Sequence, residues 1–363
     1  MPWNWELPNW PKFRYDPEQL AQMERAFLLG VGGSSAYLKT VGEQEYKGFI
    51  VEILSLEGEQ CFKIEGEFLA KESLQSSIKR HFGLQAPPKK RPDKESGMAE
   101  LLCSVYTSFD QPLTHAMLWQ WHSMLFQDGS EIADCGKYRT HAEPMQIVSN
   151  RYGSTKVFFE APPSARVFDE MSAFIQWFNS ADRSKSVLGI AAIAHIYFES
   201  IHPFEDGNGR IGRVLVEKIL SQSIKQPVLI AVSKVLEKRK KEYYAELEKC
   251  NCTLDVQHWV EFFSGAVVQA HEDSMHLLYF IIKKSKMMSA LSDQINPRQT
   301  KVLLRMFAEG PNGFQGGLSA ENYIAITKTT RATATRDLTD LVEKGALTKT
   351  GELRHTRYDL NLK

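Results

Sequence analysis

The chain has 363 residues, of which 43% are hydrophobic, and it carries 44 basic and 44 acidic residues. That length and apolar content suffice for more than one domain with its own core. The formal net charge of zero excludes a chain whose bulk charge would drive it onto nucleic acid or an anionic membrane, although a local basic patch stays open. The 5 cysteines have neither disulfide-framework nor zinc-site spacing, so we expect free thiols in a reducing compartment.

The first residues, MPWNWELPNWPKF, are rich in Trp and Pro and lack the basic and apolar regions of a signal peptide. The longest apolar run, residues 187–198, is interrupted by Gly, His and Tyr. It is shorter than the roughly 18 residues that cross a bilayer. We therefore expect a soluble, cytoplasmic protein without a membrane partner.

The elements are predicted from the spacing of apolar residues and from turn residues. Apolar spacing predicts mostly helical structure from Pro17 to Phe82, and the sequence QAPPKKRP at 85–92 predicts a surface linker. Two short β-prone runs, 146–149 and 156–159, flank a turn at 150–154 and predict a hairpin. The other predicted helices of this part span residues 98–109, 114–126, 167–179, 187–201, 210–221, 238–248 and 256–278.

The C-terminal part has a different pattern. Helices are predicted at 297–307, 319–326 and 330–344, followed by two strands at 346–349 and 355–360 around Gly351. Three helices and a small hairpin are typical of a winged helix-turn-helix domain. We divide the chain accordingly into an N-terminal helical region at 1–95, a helical core at 96–285 and a winged-helix domain at 294–363.

Residues 202–213, HPFEDGNGRIGR, contain the densest chemistry of the chain. A Gly-Asn-Gly sequence at 207–209 opens a predicted helix, where backbone N–H groups and the helix dipole favour phosphate. Arg210 and Arg213 are three residues apart, so they share one helix face and can bind separate phosphate oxygens. The run therefore predicts a site for a phosphorylated ligand.

Two more residues of this run have catalytic chemistry. Asp206 offers a carboxylate for Mg²⁺, which usually binds through one or two carboxylates and substrate phosphates. His202 can take a proton from an attacking hydroxyl. A lone histidine is more often structural, and a lone Gly-Asn-Gly is more often a tight turn. The ordered combination favours a nucleotide site.

The run resembles the signature of Fic-domain proteins, His-Pro-Phe-x-(Asp/Glu)-Gly-Asn-Gly-Arg-x-x-Arg, and matches it at each specified position. The resemblance implies a Fic-type helical bundle that transfers AMP from ATP to a Ser, Thr or Tyr hydroxyl of a target protein. It implies that His202 is the base and that Asp206 holds Mg²⁺. The residues implied for the phosphates are Gly207, Asn208 and Gly209 (α), Arg210 (β) and Arg213 (γ).

Two further segments agree with that family. The hairpin near residues 146–159 lies where Fic proteins have a flap that docks the target protein by strand addition. The sequence KEYY at 241–244, together with Asn251, resembles the helix that lines the nucleotide pocket, with Tyr243 or Tyr244 against the adenine. Ordinary core packing is an equally good interpretation of the tyrosine pair.

Residues 61–66, CFKIEG, resemble the autoinhibitory motif (Ser/Thr)-x-x-x-Glu-(Gly/Asn) of Fic proteins, with Cys61 in place of Ser or Thr. The resemblance implies that Glu65 pairs with Arg213 in a bidentate contact and blocks the γ-phosphate. It places the chain in the N-terminally inhibited class, and the Trp-rich start is similar to a region of some bacterial Fic proteins. Glu57 is a rival candidate, and both glutamates can instead be solvated charges.

The sequence of the C-terminal domain does not identify its binding partner. The threonines and arginines of the helix at 330–344 suit DNA phosphates and base edges. Winged helices also bind proteins or form homodimers, and three acidic residues on that helix count against a purely basic face. The acidic residues are Asp337, Asp340 and Glu343, and the basic residues expected around the wing are Lys344, Lys349, Arg354, His355 and Arg357.

We therefore predict a protein adenylyltransferase that uses ATP and Mg²⁺, is inhibited by Glu65 and docks its protein substrate on the flap. Two alternatives use the same site: removal of AMP, and transfer of another phosphate-containing group. A third alternative is a DNA-binding regulator whose Fic domain senses nucleotide. Self-modification, and secretion of a bacterial protein into a host cell, are also open.

Overall fold

The structure is a computed structural model that describes residues 1–86, 93–127, 132–151, 154–311 and 313–362. Most of the predicted linker, residues 87–92, lies outside these ranges, as do residues 152 and 153 at the centre of the predicted turn.

The described part of the chain is mainly helical, which confirms the predicted fold class. Short 3-10 segments occur at Asn4–Glu6, Pro17–Leu20 and Leu353–His355. The α-helices are α1 (Ala21–Leu38), α2 (Glu43–Ile64), α3 (Lys71–His81), α4 (Lys94–Thr107), α5 (His115–Leu125), α6 (Ser164–Ser180), α7 (Val187–Ile201), α8 (Asn208–Ile224), α9 (Val232–Lys238), α10 (Lys240–Cys250), α11 (Gln257–Leu291), α12 (Pro297–Ala308), α13 (Ala320–Thr327) and α14 (Arg331–Glu343).

Two antiparallel hairpins complete the fold. β1 (Gln146–Arg151) pairs with β2 (Ser154–Glu160), with a register irregularity between Ile147 and Val148. This hairpin confirms the one predicted near residues 146–159. β3 (Leu347–Thr350) pairs with β4 (Arg357–Leu360).

The chain forms two compact units. The first contains Met1–Tyr37 and Ile50–Ser274, and the second contains Leu38–Phe49 and Met275–Lys363. The predicted domain boundaries at residues 95, 285 and 294 stay predictions. Within the ranges that the structure describes, no helix is both long and apolar enough to cross a membrane.

Residues 202–207, the first half of the segment with the densest chemistry, lie between α7 and α8. α7 is buried along nearly all of its length because residues 187–201 are almost continuously apolar. Ser186 caps its start by accepting a hydrogen bond from the Gly189 N–H. α8 is likewise buried over most of residues 208–221. The packing of these two helices therefore fixes the loop at 202–207.

Three helix predictions need correction. α8 begins at Asn208 rather than Arg210, because Gly207 has a φ of 82° and the Asn208 side chain binds back to the loop before it. α11 continues to Leu291, beyond the predicted end at 278, since apolar residues recur among its lysines. The seven-residue helix α9 was too short for its periodicity to be recognised.

The second unit has its own apolar core. α12, α13 and α14 are followed by the β3–β4 hairpin, in the predicted order. Its buried residues include Val302, Leu303, Phe307, Tyr323, Leu338, Leu341 and Tyr358. Its classification as a winged helix stays a prediction.

Candidate active site

Arg139 stabilises the loop between α7 and α8, a role that no sequence pattern indicated. Arg139 is buried, and its Nε donates a hydrogen bond of 2.9 Å to the carbonyl oxygen of His202. Its Nη2 donates to the Pro162 carbonyl at 2.5 Å, and its backbone N–H donates to the Pro203 carbonyl at 3.0 Å. These bonds fix the backbone of His202, which follows α7 in a left-handed conformation with a φ of 50°.

His122 provides a second support for this loop, at the backbone of Asp206. The Gly136 N–H donates to Nδ1 of His122, so Nε2 of that ring carries the proton and donates to the Asp206 carbonyl oxygen at 3.1 Å. The His122 ring stacks on Phe204 with a centroid separation of 4.2 Å. Burial lowers the pKa of His122 to about 4, so the ring is neutral near pH 7. A neutral His122 thus positions the backbone of Asp206.

Asn208 has a structural role in the loop. Its Oδ1 accepts a hydrogen bond of 2.9 Å from the Phe204 N–H, and its Nδ2 donates one of 2.8 Å to the Phe204 carbonyl. Both ends of the side-chain amide are therefore engaged with the backbone. Asn208 is consequently suited to act on a phosphate through its backbone N–H and through the loop shape that it enforces.

The start of α8 forms an anion cradle. The first helical hydrogen bond runs from the Ile211 N–H to the Gly207 carbonyl, so the N–H groups of residues 208–210 precede the helical ladder. Residues 207–209 line a cavity of about 570 Å³, together with His202, Asp206 and Arg213. Free N–H groups at a helix start, a nearby arginine and a lined cavity are what a polyphosphate requires.

Arg213 is only 1% exposed and is paired with the end of α2. Its Nη2 donates to Glu65 Oε1 at 2.6 Å and to the Cys61 carbonyl at 3.0 Å. Its Nε donates to Cys61 Sγ at 3.3 Å, so the cysteine accepts a bond where the motif has Ser or Thr. The expected bidentate contact needs correction, because the carboxylate engages Arg213 through one oxygen while the Cys61 carbonyl accepts from the same nitrogen.

The Glu-Gly sequence has a physical reason at this position. The Gly66 N–H donates to the Lys63 carbonyl and the Glu67 N–H donates to the Phe62 carbonyl, which together form a Schellman motif. Gly66 has a φ of 85°, a conformation that favours glycine. Glu65 thus lies at the negative end of the α2 dipole, where a carboxylate is disfavoured unless a cation such as Arg213 holds it.

Glu67 engages the other arginine of the signature. Its Oε1 lies 3.3 Å from Arg210 Nη1, and its Oε2 accepts a short bond from Lys94. Arg210 also donates to Asp206 Oδ2 at 3.1 Å, and its guanidinium contacts the rings of Phe62 and Phe126. Both arginines are therefore paired with carboxylates from residues 65–67.

The rival glutamate faces a different partner. Glu57 is buried on α2, and its Oε2 accepts a hydrogen bond of 2.8 Å from the Ser233 N–H while its Oε1 accepts from the Ser233 hydroxyl. Of the two candidates, Glu65 is the one that contacts Arg213. Neither is a freely solvated surface charge.

The far wall of the cavity comes from α10 and the hairpin. Tyr243 is buried and its hydroxyl lies 2.8 Å from His195 Nε2, whereas Tyr244 is exposed and donates to the Ile64 carbonyl at 3.3 Å. Both tyrosines line the cavity, as does Asn251. The Asn251 amide donates to the Phe158 carbonyl at 2.9 Å and so binds strand β2. Tyr243 thus belongs to the core, while Tyr244 is the more accessible surface for the base of a nucleotide.

The Trp-rich N-terminal segment packs against the same hairpin. Trp5 Nε1 donates to the Glu160 carbonyl at 2.7 Å, and Trp3 packs edge-on against Phe159. The Asn4 amide donates to Ser200 Oγ at 2.8 Å, one residue before the end of α7. This segment thereby supports both the hairpin and the loop that carries His202.

Comparison with known proteins agrees with the geometry. The model of the Fic/DOC family matches residues 112–220, and that of a domain of unknown function, DUF4172, matches residues 3–84. The chain is similar to the protein adenylyltransferase Fic of Nematostella vectensis, with 33% identity over 126 residues, which are 34% of this chain and 28% of that protein. It is 27% identical over 179 residues to the protein adenylyltransferase fic-1 of Caenorhabditis elegans, covering 47% of this chain and 32% of that protein.

These two matches span about a third or less of the curated relatives' length. Among solved structures, a crystal structure of a Fic family protein from Desulfovibrio desulfuricans G20 covers 97% of this chain and 98% of its own chain. Its TM-score is 0.56 and its sequence identity is 19%, a likeness that concerns the fold.

Proposed function

We propose that this chain, which contains a Fic/DOC family domain at residues 112–220, is a protein adenylyltransferase that Glu65 holds in an inhibited state. It would transfer AMP from ATP to a Ser, Thr or Tyr hydroxyl of a target protein and release pyrophosphate. The observation that carries the proposal is the single cavity that brings His202, the α8 cradle, Asp206 and Arg213 together. The names of the two relatives, protein adenylyltransferases, support it.

The reaction follows from the positions of these groups. His202 accepts the proton of the target hydroxyl, whose oxygen attacks the α-phosphorus of ATP. The bond from that phosphorus to the bridging oxygen breaks, and the electron pair leaves with pyrophosphate. Such a transfer depends mainly on positioning and on charge stabilisation. The N–H groups at residues 208–210 would hold the α-phosphate, and Arg210 and Arg213 would hold the β- and γ-phosphates.

Asp206 fits a magnesium ion that arrives with the nucleotide. Its carboxylate is 61% exposed and the residue lines the cavity. One carboxylate with substrate phosphates is a common protein environment for Mg²⁺. The ion would supply positive charge against the phosphate oxygens, and His122 would keep the backbone of Asp206 in place.

Glu65 would inhibit the reaction by occupying Arg213. Its carboxylate lies inside the cavity, where it repels a γ-phosphate and neutralises the guanidinium that would bind it. Glu67 adds a second inhibitory contact in this proposal, because it neutralises Arg210 from the same segment. Activation then requires residues 65–67 to move away from both arginines.

The target protein would dock on the flap. Ile147, Val148 and Val157 are exposed on the β1–β2 hairpin beside the cavity. An edge strand with exposed apolar side chains suits the addition of an extended target segment. Tyr244 is the surface we propose for the adenine. We place the reaction in the bacterial cytoplasm, with secretion into a host cell as the alternative.

The test combines the purified chain with ATP labelled in the α-phosphate, Mg²⁺ and a bacterial protein extract. We expect label to enter protein, more strongly with Glu65→Ala and not with His202→Ala. Loss of label from a previously modified target, in a manner that requires Glu65, would instead support removal of AMP. Transfer of a label placed on the γ-phosphate would support the other phosphate-transfer alternative.

DNA binding by the second unit is a second candidate function, and one observation favours it. Two of the three acidic residues of α14 are engaged within the unit: Asp337 is buried against Arg298 and Tyr323, and Asp340 is paired with Lys344. The expectation that they weaken a basic face therefore needs correction for Asp337, which is buried, while Lys344 neutralises Asp340 and Glu343 remains exposed. Side chains exposed on α14 include Arg331, Thr335, Arg336, Thr339 and Glu343.

A salt series of gel shifts with the full chain tests this candidate. Phosphate contacts make the affinity fall steeply with salt. Arg336→Ala should weaken binding at each salt concentration, whereas Lys12→Ala in the first unit should leave it unchanged. Binding without salt dependence, or no binding, would favour protein contact or homodimer formation by this unit.

A further inference from the structure

Glu199 and His202 form a pair inside the cavity that the proposed reaction does not yet use. Glu199 lies on the last turn of α7 and its Oε2 is 3.8 Å from Nδ1 of His202. Among the described residues, Glu199 Oε1 and His202 Nδ1 are buried and have no hydrogen-bond partner. Buried polar atoms rarely stay unpaired, and catalytic hydrogen bonds are often long before substrate binds.

We propose that Glu199 is the positioning residue of His202 and selects the tautomer in which its Nε2 can act as the base. This inference rests on the proposed function, in which His202 takes the proton of the target hydroxyl. An ionised Glu199 accepts the Nδ1–H of the ring, which leaves Nε2 as an acceptor. A protonated Glu199 donates to Nδ1 instead, so that Nε2 carries the hydrogen and cannot accept another.

Helix α8 leaves room for the Glu199 side chain because it has a glycine at position 212. A Cβ atom at Gly212 would lie 2.5 Å from Glu199 Oε1 and 3.2 Å from the His195 ring. The residue at 212 is one of the unspecified positions of the signature, so the signature itself does not explain this glycine. Its absence of a side chain permits the carboxyl group of Glu199 to lie beside His202.

The charges around the pair connect it to inhibition. Arg213 of α8 and Glu65 after α2 act on Glu199, and Arg139, Glu65 and Asp206 act on His202. Burial raises the pKa of Glu199 to about 8, with Arg213 opposing this shift and Glu65 adding to it. Burial and Arg139 lower the pKa of His202 to about 4, although the nearby Glu199 carbonyl, Glu65 and Asp206 act in the opposite direction. Near pH 7 the proton is therefore on Glu199, and departure of Glu65 favours its ionisation.

The test compares variants of the full chain in a Glu65→Ala background. Glu199→Gln removes the charge, Glu199→Leu also removes the hydrogen bond, and Gly212→Ala displaces the carboxyl group. Glu170→Gln is the control, because Glu170 is another buried carboxylate of the first unit. It accepts a hydrogen bond from Trp10 Nε1. Nitrogen NMR of the histidine rings reports the tautomer and titration of His202, whose signals are assigned by their loss in His202→Asn.

We expect Glu199→Leu to lower kcat by about 10- to 100-fold with the KM for ATP within about twofold of the parent. The acidic limb of the rate profile should move to lower pH in Glu199→Gln, because ionisation of Glu199 no longer limits the reaction. The Nδ1–H signal of His202 should weaken in Glu199→Leu and Gly212→Ala. Glu170→Gln should change neither the rate nor these signals.

Unchanged tautomer and titration of His202 in the Glu199 and Gly212 variants would overturn the proposal, with or without activity. A loss of kcat with an unchanged pH profile would also overturn it, because a structural residue would behave in that way. If the NMR signals change as expected but the Glu65→Ala parent transfers no AMP, the positioning role stands and the proposed function fails. If Glu199→Leu does not fold, the other two variants decide.

Discussion

Substitution of Glu65 by alanine should increase the proposed AMP transfer because it removes the contact that occupies Arg213. The Glu65–Arg213 bond is 2.6 Å long, and the glutamate side chain is 31% exposed while the arginine is almost fully buried. A hydrogen bond between charged groups contributes about 1.5–3 kcal/mol, and partial exposure places this one in the lower half, about 1.5–2 kcal/mol. Since each 1.36 kcal/mol is tenfold, the competent population should rise by about 13- to 30-fold.

The assay is the initial rate of AMP incorporation at low ATP, which reports kcat/KM. Glu59→Ala is the matched control, because Glu59 lies on α2 and, within the described structure, makes no hydrogen bond to either signature arginine. A rate increase below about twofold for Glu65→Ala, or an equal increase for Glu59→Ala, would refute the reasoning. An increase for Glu57→Ala alone would show that the other glutamate is inhibitory.

Three further outcomes are expected. Glu67→Gln in the Glu65→Ala background should lower the KM for ATP by about two- to fivefold, as a 3.3 Å pair with a partly exposed carboxylate allows, and initial rates at varied ATP check this. The pKa of His122 is about 4 in the folded chain, below its ordinary value of 6.5. The free energy of unfolding therefore falls as the pH drops from 6.5 towards 4. At pH 5 the loss is about 2 kcal/mol, and urea unfolding should show it for the wild type and less of it for His122→Gln. Asp337→Ala should destabilise the second unit by about 2–3 kcal/mol, since Arg298 and Tyr323 lose their acceptor; a calorimetric transition unchanged from the wild type would contradict this.

The parts of the site that are continuous in sequence could be predicted from it. The twelve residues at 202–213 contain the proposed base, metal ligand and phosphate ligands because one loop and one helix start supply them all. The Glu65–Arg213 contact joins residues far apart in the chain, and it could be anticipated only through a family motif. Glu199 could have been found as well, since it lies one helical turn before His202 on a helix predicted with the correct bounds.

The supports of the site could not be predicted in this way. Arg139 and His122 hold the loop through backbone carbonyls, and no local pattern indicates which distant carbonyl a side chain will reach. The role of Asp337 was misread because its charge was weighed without its helical position. Ala334, Leu338 and Leu341 define the buried face of α14, and Asp337 lies on that face.

The most direct test of the central claim is transfer of label from α-phosphate-labelled ATP to protein, measured with wild type, Glu65→Ala and His202→Ala in the presence of Mg²⁺ and a bacterial protein extract. Labelling that is strongest with Glu65→Ala and absent with His202→Ala would establish an inhibited adenylyltransferase whose base is His202. Equal labelling by Glu65→Ala and His202→Ala, or none by either, would contradict it.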